Sequence, residues 1–146
     1  MRRSAAAILC LVALSACSRE DEATPAGCLT DEAEVLKALE GAPGKVVLDD
    51  APLSACLRDT TDAGALQAVG TAYLDAATSL ADRAAEKPEG GSALRLGYLL
   101  GAVKRSEAGA QGVGYELGRR LRSEAARVAR GSRAYERGLR AGTEGG

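Results

Sequence analysis

No stretch constrains the fold of this chain more than the run from Asp62 to Glu86. Leu66, Val69, Tyr73, Ala76 or Ala77, Leu80 and Ala84 recur there at intervals of three and four. That period places side chains on one face of an α-helix. Thr61 or Asp62 offers a cap at the start, and Glu86-Lys87-Pro88-Glu89-Gly90-Gly91 stops the pattern. Proline lacks the amide proton that helix needs, and glycine leaves the helical conformation readily. A helix of this length with one apolar stripe must bury that stripe against other elements.

The partners are of the same kind. After the turn, Ser92 is placed to cap a helix carrying Leu94, Leu96, Tyr98, Leu99, Leu100 and Val103. It is apolar around much of its circumference, which predicts the most buried helix. Glycines accumulate between Ser106 and Gly114, where the pattern allows either a break or a continuous helix. From Tyr115 the period returns through Leu117, Leu121, Ala125 (or Glu124), Val128, Ser132, Tyr135 and Leu139. Two shorter helices precede these. The first is capped at Thr30, opens on Asp31-Glu32 and ends near Glu40, before Gly41 and Pro43. The second starts near Asp50-Ala51-Pro52 and carries Leu53, Cys56 and Leu57. Lys45-Val46-Val47-Leu48 has strand character but no evident partner, so it reads as an extended connector. The expectation is an all-α fold: a small antiparallel bundle of about three long and two short helices, with short connections. Its core is thin, because the chain has no Phe or Trp and only four Tyr, and large side chains dominate burial energy.

The front of the chain speaks to location. Arg2-Arg3 precedes an apolar run from Ala5 to Ala13, followed by Leu14-Ser15-Ala16-Cys17. This is the three-part pattern of a secretory signal peptide, too short for the roughly 20 residues that span a bilayer. Leu14-Ser15-Ala16-Cys17 resembles the lipobox of bacterial lipoproteins at all four positions. The resemblance covers the first seventeen residues only. It implies cleavage between Ala16 and Cys17, lipidation of Cys17 and attachment to the extracytoplasmic side of a bacterial membrane by acyl chains. Two or more chains hold stably where one is marginal. The implied organisation is a signal peptide over 1–16, a lipidated cysteine and flexible tether over 17–29, a helical domain over 30–141 and a frayed tail over 142–146.

Export bears on the other cysteines. Cys10 leaves with the signal peptide and Cys17 is taken by lipid, so Cys28 and Cys56 remain in a compartment that permits disulfides. A Cys28–Cys56 bridge would tie the second short helix to the chain just before the first.

Charge is divided. Residues 18–91 carry fifteen acids against six bases, and residues 92–146 carry eleven bases against five acids. Two acid–base halves packed in one bundle would explain it. So would a basic surface for an anionic partner, in which case Arg119, Arg122, Arg130, Arg133 and Arg137 on the last helix are the candidate contacts with lipid headgroups, an envelope polymer or a small ligand. Gly97 and Gly101, like Gly114 and Gly118, stand four apart, a spacing that suits close packing inside a bundle.

Catalysis has little to use. The chain has no His, hence no imidazole base or ligand, and the assignments above leave no free thiol. Asp59-Thr60-Thr61-Asp62-Ala63-Gly64 departs from a calcium loop at its third and fifth positions. The acids at Asp31, Glu32, Asp49 and Asp50 read better as caps than as a cation site. The expected role is a non-enzymatic interaction or structural module of the cell envelope, with no cofactor, metal or nucleic acid. Its partners would be the membrane through the lipid, and an envelope protein or a second copy of the chain.

Overall fold

The computed structural model describes residues 24–107, 113–126, 128 and 131–146. The chain begins with a 3-10 turn at Ala26–Cys28. It continues through α1 (Glu32–Ala38), a hairpin of β1 (Val47–Leu48) and β2 (Ala51–Pro52), α2 (Leu53–Arg58), α3 (Ala63–Glu86), α4 (Gly91–Ser106), α5 (Val113–Ala125) and α6 (Arg133–Gly145). The fold is an all-α bundle, as the periodicity predicts, tied by the Cys28–Cys56 disulfide expected from the cysteine count.

Local chemistry sets most boundaries. Asp31 caps α1 by accepting from the Glu34 amide, and Asp62 caps α3 by accepting from the Ala65 amide. Each carboxylate satisfies an amide with no partner inside the helix, at its positive end. Thr30, the expected cap of α1, instead donates its hydroxyl to the Glu34 carboxylate. Gly90, not Ser92, precedes α4.

Four further expectations change. First, Val47–Leu48 does have a partner. Antiparallel register pairs Val47 with Pro52 and Leu48 with Ala51. The two residues between, Asp49 and Asp50, both hold positive φ (44° and 69°), as a type I′ hairpin requires. Helix α2 therefore begins after Pro52 rather than at Asp50.

Second, the regular pattern after Tyr115 is two helices. It breaks after Ala125, and Gly131 at φ +80° followed by Ser132 restarts it. The Ser132 hydroxyl accepts from the Tyr135 amide and donates to the Pro88 carbonyl at 2.5 Å. Glu89 accepts from the Arg133 and Ala134 amides. The α3–α4 turn thus caps α6 from across the molecule.

Third, residues 142–146 are not frayed. Helix α6 runs through Gly145, and the buried Ser54 hydroxyl donates to the Gly146 carbonyl at 2.6 Å. Tertiary contact overrides the helix-breaking composition. Fourth, the domain starts before residue 30: Cys28 is fully buried, and the turn at Ala26–Cys28 packs on the hairpin.

The core sits between α3, α4 and α6, where Tyr73, Leu80, Leu96, Tyr98, Leu99 and Val103 are almost inaccessible. Helix α4 buries both sides, as its composition predicts. One side faces α3 and α5. The other meets α6 through glycines: Gly97 lies against Tyr135 and Leu139, Gly101 against Leu139 and Thr143, Gly138 against Leu94 and Tyr98, and Gly142 against Tyr98. Residue numbers rise together along both helices, so α4 and α6 run parallel, with α5 carrying the chain back between them. A Cβ at Gly97 would overlap the Tyr135 carbonyl oxygen and lie 2.9 Å from the Leu139 amide nitrogen. One at Gly138 would overlap the Leu94 carbonyl oxygen and lie 2.9 Å from the Tyr98 amide nitrogen. The two backbones touch, a contact only small residues permit.

Candidate functional site

Cys28 and Cys56 form the expected disulfide, with their Cα atoms 5.3 Å apart and both residues fully buried. It fastens the point where the chain joins the domain to α2. Arg58 at the end of that helix pairs with Asp59 at 2.7 Å, which raises the guanidinium pKa.

The arginines do not form one stripe. Arg119 and Arg122 lie on α5, and Arg133 and Arg137 on α6. Arg130, like Ala16 and Cys17, lies outside the described residues. Arg122 bonds Glu107 at 2.9 Å and stands 5.9 Å from the centre of the exposed Tyr115 ring. Glu107 reaches it across Gly118, where a side chain would block the path. Arg119 grips Glu116 through two bonds of 2.9 and 2.8 Å. Arg120 adds a third to the same carboxylate at 3.1 Å. These bonds, Arg119 first, hold the Glu116 pKa down to about 2. On α6, Arg133, Arg137 and Arg140 are exposed at spacings of four and three, beside exposed Glu136 and Glu144. Arg105 donates instead to the Thr143 and Glu144 carbonyls, closing the negative end of α6.

A groove of about 220 Å³ runs between α3 and α5, lined by Leu66, Gly70, Leu74, Glu116, Leu117 and Arg120, with Gln67 and Thr71 at its edge. Leu66, Gly70 and Leu74 are successive positions of one α3 stripe, four residues apart. The middle position has no side chain, and the gap opens there. Sequence reasoning counted Leu66 toward the core and passed over Gly70. The interruption of a leucine stripe by glycine was the available signal.

Three of the four tyrosines, Tyr73, Tyr98 and Tyr135, are buried in the core. Tyr73 donates to the Leu53 carbonyl at 2.9 Å, and burial drives its pKa far above the ordinary value. Burial pushes Tyr135 up to about 12. Burial also raises Tyr98, whose hydroxyl finds no hydrogen-bond partner among the described residues; the nearby Val46 backbone and the Arg105 charge oppose part of the shift. Among the described residues, no three Cys, Asp or Glu side chains cluster in a way that could hold a metal ion. Nor is any helix there long and apolar enough to cross a membrane.

These features define a class no narrower than a disulfide-tied helical domain with a shallow apolar groove between α3 and α5. Comparison with protein-family models, curated proteins and solved structures gave no match.

Proposed function

We propose that this chain is a bacterial lipoprotein, anchored through acyl chains on Cys17 at the extracytoplasmic face of a membrane, whose helical domain is a non-enzymatic interaction or structural module of the envelope. The observation that carries this reading is the buried Cys28–Cys56 bridge. Disulfides persist in exported proteins and are rare in the cytosol, and the bridge sits eleven residues past a lipobox-like Leu14-Ser15-Ala16-Cys17. Electrostatics support the non-enzymatic part. Catalytic groups are tuned toward neutrality. Among the described residues the shifted groups move the other way: Tyr73, Tyr98 and Tyr135 up, Glu116 down, and Arg58 and Arg119 up.

Replacing Cys17 tests the anchor. Cys17→Ala should abolish incorporation of labelled palmitate and move the protein out of the membrane fraction; membrane retention by the variant would overturn the anchor. Crosslinking in the native cell tests the module. A partner, or a second copy, should be captured through the domain, and a monomer with nothing attached would sink that half.

One observation favours a second reading. The exposed Arg133, Arg137 and Arg140 share the α6 face opposite α4, which suits an anionic envelope polymer or lipid headgroup. Binding to cell-wall fractions or anionic vesicles should then fall steeply with salt. Binding indifferent to salt would exclude it.

A further inference from the structure

We propose that the groove between α3 and α5 is a binding slot for one linear, singly negative amphiphile of the fatty-carboxylate class, with its chain against Leu66, Gly70, Leu74 and Leu117 and its carboxylate at Arg120. The argument starts from Gly70. At Gly97, Gly101, Gly138 and Gly142 an added Cβ would collide with the facing backbone, so packing demands glycine. At Gly70 it would lie 3.5 Å from Leu117 Cδ2, an ordinary contact. Packing does not require a glycine there, yet one stands in the interior of a 24-residue helix, where it lowers helix stability relative to alanine. What it supplies is space. With Leu66 and Leu74 half-buried on either side and Leu117 opposite, the missing side chain leaves an apolar slot.

Shape and charge select the occupant. At about 220 Å³ the slot is smaller than a site for a drug-sized or multi-ring ligand. Its apolar walls extend along α3 from Leu66 to Leu74, about 12 Å at the helical rise, which suits a linear chain. Glu116 and Arg120 line the mouth, and Arg119 beside them grips the same Glu116 carboxylate, so the three groups together leave one positive charge. Arg120 uses its Nε for that bond, and its two terminal nitrogens donate to no described residue. A carboxylate is the complementary head group, since guanidinium pairs with it through charge-assisted bonds. None of this depends on the lipid anchor.

The test is equilibrium retention of radiolabelled decanoate by the full chain in nanodiscs of uncharged lipid, with empty discs subtracted, compared with decanol and decylamine. Wild-type protein should retain decanoate saturably, decanol more weakly and decylamine least. Gly70→Leu fills the slot and should weaken decanoate at least about tenfold. Gly70→Ala, which preserves the fold by adding one methyl in ordinary contact, should weaken it less. Arg120→Gln should weaken decanoate about threefold and leave decanol unchanged. Decanoate retained by Gly70→Leu at wild-type affinity, decylamine bound as well as decanoate, or no saturable retention would each overturn the proposal. So would a leucine-anchored acidic peptide that binds where decanoate does not, since the slot would then dock a protein.

Discussion

Two helix pairs in this molecule use glycine for opposite ends. Between α4 and α6, Gly97, Gly101, Gly138 and Gly142 remove side chains so that two backbones touch. Between α3 and α5, Gly70 faces only the Leu117 methyls, at ordinary contact distance, and a groove stays open beside it. The first arrangement explains how a chain without Phe or Trp builds a firm core: where large side chains are scarce, close backbone approach recovers dispersion contacts over the whole crossing. The second shows that a glycine in a helix says little until the atoms opposite it are known. The same residue type marks a seam where backbones touch and one that leaves a groove open.

That contrast can be broken most sharply at Gly138. Gly138→Ala places a methyl into the Leu94 carbonyl, and because backbone cannot step aside the expected loss is about 3 kcal/mol or more, read by chemical denaturation. A loss below about 1 kcal/mol would mean that the seam is looser than described. Alkali should act next, and on the same seam. Tyr98 and Tyr135 have raised folded-state values, Tyr135 about 12. The stability they hold is complete below the unfolded value near 10. It should fall as pH rises from there through the folded value. A flat thermal midpoint from pH 9 to 12 would contradict the burial of these hydroxyls. Glu89→Gln loosens the start of α6 by weakening the bonds to the Arg133 and Ala134 amides. About 1 kcal/mol is expected, the scale of a lost helix cap, and an unchanged midpoint would show the cap to be idle. The smallest effect has the opposite sign. Gly70→Ala should stabilise by about 0.5–1 kcal/mol, and destabilisation there would erase the distinction between the two pairs.

Much of the fold is legible in the sequence because local physics decided it. The α3 stripe, its Asp62 cap and the stop at Pro88 are all near-neighbour effects, and so is the burial of α4. Reasoning from compartment brings Cys28 and Cys56 together. What escaped was decided at a distance. Gly97 and Gly101 are visible as a spaced pair, but their mates Gly138 and Gly142 have meaning only once α6 is a separate helix. Leu117 to Leu139 keeps its period straight across the break, so the register hides it, and only Gly131-Ser132, a helix stop followed by a cap, betrays it. The hairpin lacked the usual Asn-Gly signal, because two aspartates hold the left-handed turn. The glycine-rich end looked unfit for helix because its partner lies in α4 and α2. Of the groove, the leucines were legible. The charge at its mouth was not, because two arginines converge on Glu116 only when α5 is wound.

The parallel seating of α6 on α4 also sets a timetable. Its contacts are far apart along the chain: Arg105 to Thr143 spans 38 residues, and Ser54 to Gly146 spans 92. Loops that long must close before any of these contacts forms, and ordering non-local pairs slows folding more than it weakens the product. Helix α3 can wind early on its own neighbours, whereas α6 must wait for α4, for the chain to double back through α5, and for the α3–α4 turn to present Glu89. A newly made chain would therefore expose the glycine-lined flank of α4 until its last thirteen helical residues arrive.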